Sequence, residues 1–307
     1  MHPFRFGLTA GWVGTGEAWL AMARRAEALG YSVLMVPDHL TRQLSPVPAL
    51  AAAAAVTTRL RIGSYVFAND YRHPLLLARE AATLDAVSSG RLEFGIGAGW
   101  RVSDYRQLGV AYDPAGRRID RLAEALGIIK RLFAGETVTH DGPHYQVRHA
   151  RLSPQLVQQP RPPIMLGGGG PRLLRLAARE ADIVSFVPQF NAAGRPIVRQ
   201  ATEGALVEKV ATVRMAAGNR FAGLELNVFV AAAGMVGSGS SLAASLVAGG
   251  MAAAVGPVGS PYVLHGTRGR LREILERRRE RLGISFYAIP QPAMESMAPL
   301  VEDLAGR

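Results

Sequence analysis

Short apolar runs recur along the chain, and between them apolar residues return at spacings of three and four. The short runs read as strands over Phe4 to Thr9, Ser32 to Val36, Leu60 to about Phe67, Leu92 to Ile96, Ile164 to Leu166, Ile183 to Val187, Leu224 to Val230 and Ile284 to Ile289. The longer spacing predicts helices over Glu17 to Leu29, Pro46 to Thr57 and Pro74 to Val87. A further helix buries Ile119, Leu122, Leu126, Ile129 and Phe133, and others open at Pro171, Glu203, Thr267 and Met294. Strands alternating with helices imply parallel βαβ units. Eight such units in 307 residues fit an α/β fold of the (β/α)8 TIM-barrel type, with an open doubly wound sheet as the rival. Residues 135–162, 189–202 and 234–266 break the rhythm. They read as insertions or lid segments at the C-terminal mouth of one barrel domain spanning 1–307, with a short helix expected over Leu242 to Val247.

Composition narrows the function. The chain is 49% hydrophobic and 19% charged, enough to bury a sizeable core. It has no cysteine, which excludes disulfides, thiol catalysis and thiolate metal sites. No window approaches about 18 strongly apolar residues, and the N-terminus lacks a signal pattern, so a cytoplasmic enzyme without a membrane span is expected. The net charge of +11 comes almost entirely from arginine. Its densest run, Arg277 to Arg279 with Arg281, is interleaved with Glu273, Glu276 and Glu280 and reads as a solvated helix face. No basic stripe carries stacking aromatics, so nucleic acid is not expected as a partner. The arginine surplus suits a small anionic ligand.

In a barrel the chemistry sits where strands end. Four features fall there: Asp38-His39, the segment to Asn69-Asp70, Gly97 to Trp100, and Gly167 to Gly170. Glycines ahead of a helix whose first position is Pro171 can turn backbone N–H groups and the positive helix end toward a phosphate; a tight strand-to-helix turn explains them equally. Asp38 and His39 could bind a ring N–H and move a proton, or be a capping Asp beside a surface His. Trp12 and Trp100, with Tyr105 nearby, could line an apolar substrate pocket or belong to the core. His73-Pro74 marks a helix start. His140, His144 and His149 lack a ligand pattern, so no metal site is expected.

These blocks resemble the luciferase-like oxidoreductase (luciferase-like monooxygenase) superfamily, most closely its branch that uses the deazaflavin coenzyme F420. The resemblance rests on Val36-Pro37-Asp38-His39, Arg61 to Val66, Arg72-His73-Pro74, Leu84 to Arg91, Gly95 to Trp100, Pro163 to Pro171 and Ala177 to Asp182. It runs from about residue 4 to 188 and is loose afterwards. It implies a (β/α)8 barrel with the cofactor at its C-terminal mouth. Asp38 would meet the ring's polar edge, and His39 would exchange a proton with Asp38 orienting it or the ring. Ser64, Tyr65, Val66, Asn69, Gly97, Gly99 and Trp100 would surround the cofactor, with a non-proline cis peptide at Tyr65-Val66. Gly167, Gly168, Gly169 and Gly170 would hold its phosphate.

One position departs from the pattern. Sugar-phosphate dehydrogenases of the superfamily carry a carboxylate just after the fourth strand's glycines. Trp100 stands there, the nearest acid is Asp104, and an apolar or aromatic substrate is implied instead. The reading is a hydride-transferring oxidoreductase using F420 on a small organic substrate. An FMN-dependent monooxygenase is the alternative. From other classes come a phosphate-binding barrel isomerase or aldolase, which needs a Lys or Glu at a strand end, and a non-catalytic flavin-binding protein. A homodimer is expected on family grounds alone.

Overall fold

In the computed structural model, residues 1–11, 13–41, 43–191, 197–236 and 259–307 are described. Eight parallel strands are β1 (Arg5–Thr9), β2 (Val33–Val36), β3 (Arg61–Ser64, resuming at Phe67–Ala68) and β4 (Leu92–Gly97), then β5 (Ile164–Gly168), β6 (Ile183–Phe186), β7 (Glu225–Phe229) and β8 (Ile284–Pro290). Each pairs with the next, and β8 pairs back with β1, so the sheet closes into a (β/α)8 barrel. The open-sheet rival is thereby excluded.

Helix starts follow local chemistry. Pro46, Pro74 and Pro171 each occupy a first helical turn, where a missing N–H leaves nothing unpaired. Thr15, Thr202 and Thr267 cap three other helices through their hydroxyls, accepting from the N–H of Ala18, Ala205 and Arg270. His73 does similar work, its Nδ1 accepting from the N–H of Leu75. The outward faces of the strands pack on these helices through Phe6, Leu34, Phe94, Ile96, Val184 and Tyr287, all fully buried. Each such side chain contributes roughly 1.5–3 kcal/mol of transfer free energy.

Inside the barrel, Val33, Met35, Met165, Ile183, Phe286 and Ala288 form a separate cluster with Tyr65 and Val66 packed on it. Below this cluster, at the strand starts, the interior turns ionic. Arg5 bonds Glu93 and, at 2.6 Å, Glu225, while Arg61 Nε donates to Glu93 at 2.8 Å.

Two blocks of the family pattern prove structural. Asp85 accepts from the backbone N–H groups of Val157 and Gln158 at 2.7 and 3.0 Å, anchoring the segment before β5. Arg91 donates to the carbonyls of Ala54, Leu60 and Ser88, joining two helix ends to the base of β4. The irregular stretch 135–162 holds an antiparallel hairpin, Val138–Asp141 with Gln146–Ala150. After β7 a parallel pair, Ala232–Met235 with Val263–Gly266, was not expected from the Gly- and Ala-rich sequence. The helix expected over Leu242 to Val247 lies outside the described residues. Among the described residues, no helix is long and apolar enough to cross a membrane, and no cluster of three or more His, Asp or Glu could hold a metal.

Candidate active site

The mouth is assembled around a kink in β3. The peptide Tyr65-Val66 is cis, as the resemblance implies, and separates the two halves of the strand. Room for this kink comes from glycine. A Cβ on Gly95 would lie 2.1 Å from the Ser64 carbonyl oxygen, and one on Gly97 would lie 2.8 Å from a Val66 methyl. Val66 also packs near Gly167, so β3, β4 and the glycine loop meet at one side chain. Beneath it the Tyr65 hydroxyl bonds Ser185 Oγ at 2.6 Å and Asn227 Oδ1 at 2.8 Å. Burial raises the pKa of this phenol well above its ordinary value.

The glycine loop owes its composition to close approach rather than to left-handed backbone. A Cβ on Gly169 would sit 2.8 Å from the carbonyl oxygens of both Val187 and Pro188. Gly170 is the N-cap of helix Pro171–Glu180, and no side chain caps that helix end. Backbone N–H groups at such an end favour an anion.

His39 is the second focus. Its Nδ1 lies 2.7 Å from Asp104 Oδ2, and Asp104 is fully buried on helix Val102–Leu108. Tyr71 donates to the same carboxylate oxygen at 3.3 Å. Burial lowers the His39 pKa, and Asp104 partly offsets this. With Nδ1 held by a carboxylate, Nε2 is the nitrogen left for chemistry, and it has no hydrogen bond among the described residues.

Asp38 does not bond His39. Its carboxylate accepts from Arg72 Nη1 at 2.5 Å, Arg72 Nη2 at 3.3 Å and the Ala68 N–H at 3.1 Å. The carboxylate that orients His39 is therefore Asp104, because Asp38 is already bonded to Arg72.

Trp100 stands beside His39 at the end of β4. Its ring meets His39 edge-on at 5.4 Å and stacks on Phe190 at 4.5 Å. Three successive backbone carbonyls hold this loop. Arg118 donates to Ala98 and Gly99, and Tyr112 donates to Trp100 at 3.0 Å. Gly99 adopts φ +70°, with the Tyr105 hydroxyl directly beneath it.

Other expected residues also have partners within the protein. Ser64 Oγ donates to the Gly95 carbonyl, and Asn69 Nδ2 donates to Tyr145 of the hairpin at 2.9 Å. Tyr105 does not line a substrate pocket: it is 1% exposed and its hydroxyl donates to Asp70 at 2.9 Å. Trp12 lies outside the described residues. Lys209 reaches the rim from helix Glu203–Ala217. It donates to the Val187 and Gln200 carbonyls and to Tyr262, and burial lowers its pKa to about 8.

Residues 3–283 match the model of the luciferase-like monooxygenase family. The chain belongs to that family. It is 34% identical over 189 residues to an F420-dependent glucose-6-phosphate dehydrogenase of Microbacterium testaceum (strain StLB037), an alignment covering 59% of this chain and 55% of that protein. The chain spans about half the length of the curated relatives it matches. A coenzyme F420-dependent tetrahydromethanopterin reductase from Methanopyrus kandleri superposes with TM-score 0.78 at 16% identity, covering 98% of this chain and 99% of that one. A monooxygenase from Streptomyces bottropensis superposes with TM-score 0.71 at 22% identity, covering 97% and 96%. At these identities the structural likeness is one of fold. As a luciferase-like protein, the chain keeps its glycines, its kinked third strand and its histidine on one rim. Asp104, Arg72 and Phe190 are the site residues that sequence reasoning left unassigned. Their partners lie 65, 34 and 90 positions away, and only the fold brings them together.

Proposed function

We propose that the protein is an F420-dependent oxidoreductase acting on a small organic molecule, with His39 as the group that exchanges the proton. The observation that carries this reading is the His39–Asp104 pair on the same rim as the glycine loop. The names of the curated relatives support the choice of cofactor.

The residues present fit the group. The uncapped start of helix Pro171–Glu180, with Gly170 at its N-cap, offers backbone donors suited to a phosphate, and Gly169 packs too closely on the Val187 and Pro188 carbonyls to carry a side chain. Val66, seated against Gly97, would back the ring system. When bound, the deazaflavin supplies hydride chemistry at its C5. The protein supplies the rest. Asp104 holds His39 Nδ1 and leaves Nε2 to take or return the proton of the substrate. Burial keeps the imidazole neutral at neutral pH, which is the form that accepts a proton. Trp100 meets the imidazole edge-on and is itself stacked on Phe190.

Fluorescence titration of purified protein with F420 and with FMN tests this reading. Tight F420 binding, weak FMN binding, and a loss of about 100-fold or more in Gly169→Asp are expected. His39→Ala is expected to keep F420 affinity while turnover falls by about 10²–10⁴. Preference for FMN moves the assignment to a monooxygenase. Indifference of turnover to His39→Ala removes the proton role, and binding of neither cofactor overturns the redox reading.

A further inference from the structure

The glycine loop occupies the β5 side of the mouth. On the β2–β3 side a cavity of about 360 Å³ opens beside His39. Its polar wall includes Asp38, His39, Tyr71 and Arg72, and its rim carries Leu40 and Leu108, each 40% exposed. His39 and Tyr71 share Asp104 behind this wall, so the proton-exchanging group and the cavity are parts of one hydrogen-bonded unit.

The charges on the wall are not free. Arg72 makes a two-point bond with Asp38, and its Nε lies 3.2 Å from Glu80. A phosphate entering here would meet a guanidinium that is already neutralised, with the Asp38 carboxylate beside it. Desolvating a dianion against that pair is unfavourable, because a charge is buried stably only against an available opposite charge. An uncharged hydroxyl or carbonyl requires no such partner. A hydroxyl can donate to His39 Nε2, and a carbonyl can accept from the same nitrogen once it carries the exchanged proton, while the leucines shield an apolar body at roughly 25 cal/mol per Å².

We propose that this cavity is the substrate pocket, and that the Asp38–Arg72 pair makes it select an uncharged alcohol or carbonyl compound with an apolar body over a phosphorylated one. This inference rests on the oxidoreductase reading given above. It separates the protein from the substrate in the name of its curated relatives, since those enzymes are named for a sugar phosphate.

The test uses protein loaded with F420, so that the glycine loop is already filled. Calorimetric titration compares cyclohexanol, cyclohexanone, glucose 6-phosphate and inorganic phosphate, and turnover is measured with the same compounds. Cyclohexanol or cyclohexanone should bind at least about tenfold more tightly than either phosphate. Asp38→Asn, which releases Arg72, should tighten phosphate binding by about tenfold or more. Leu108→Ser, at an exposed position, should weaken cyclohexanol binding several-fold and leave F420 affinity unchanged. Wild-type preference for glucose 6-phosphate overturns the inference. Failure of all four compounds to bind also overturns it, as does indifference of cyclohexanol to Leu108→Ser. Failure of F420 loading instead strikes the oxidoreductase reading itself, so the two failures are told apart at the first step.

Discussion

Where the barrel strands begin, Arg5 and Arg61 are bonded to Glu93 and Glu225, and the ionic groups largely satisfy one another. Where the strands end, glycines replace side chains, a helix start goes uncapped, and His39 offers a ring nitrogen with no partner among the described residues. The lower end is closed by paired charges, and most of its binding capacity is used internally, with Glu93 Oε2 and Ser285 Oγ left without a hydrogen-bond partner among the described residues. The upper end keeps donors and acceptors in reserve. The contrast teaches how to tell structural polarity from functional polarity: Arg91 and Asp85 belong to conspicuous sequence blocks, yet their hydrogen bonds are spent within the scaffold.

Substitutions can break this contrast from either end. The largest effect is expected at the bottom. Arg5→Met leaves Glu93 and Glu225 buried without their shared partner and should remove about 3–5 kcal/mol of stability in urea unfolding. The F420 affinity of the molecules that remain folded should be unchanged. A large fall in affinity would show that the two ends are coupled.

At the mouth, Asp104→Asn should lower kcat by about 10–100-fold with little change in F420 affinity or unfolding midpoint. The sign of its pH effect follows from the charges. Asp104 raises the His39 pKa against the larger lowering by burial, so its neutralisation should move the acid limb of kcat to lower pH. A merely structural Asp104 would leave that limb in place. His39 also has a stability signature. Because its folded pKa is lowered, its contribution is full above the unfolded value of about 6.5 and declines as pH falls through the lowered folded value. Urea titrations of wild type and His39→Ala across that window should converge at the acid end.

The smallest effect is expected at the layer between the two ends. Tyr65→Phe removes the hydroxyl that bonds Ser185 and Asn227 and should cost about 1–2 kcal/mol of stability, with F420 affinity changing less than about threefold. A larger change in affinity would assign this layer to the mouth.

Much of the scaffold was legible because its signals are local. Prolines at 46, 74 and 171 marked helix starts, and short apolar runs marked all eight barrel strands. The helix Val102–Leu108 was missed because two turns hold too few apolar repeats to show a period. The pair Ala232–Met235 and Val263–Gly266 was missed because alanine and glycine carry little strand signal. In the site, the glycine loop and His39 could be named from sequence, but their partners could not. Which carboxylate reaches an imidazole depends on where a neighbouring loop folds back, and Asp38, the adjacent acid, had already met Arg72. Tyr105 was misplaced for a related reason: an aromatic beside a mouth loop can face inward, and its acceptor, Asp70, lies 35 positions away.

The loop at Trp100 carries one more consequence. Arg118 and Tyr112 grip it through the carbonyls of residues 98, 99 and 100, atoms that every amino acid possesses. Its shape is therefore independent of the side chain displayed at its tip. A descendant could exchange an indole there for a carboxylate, or the reverse, without rebuilding the support, so a single replacement can redirect the chemistry while the architecture is inherited intact.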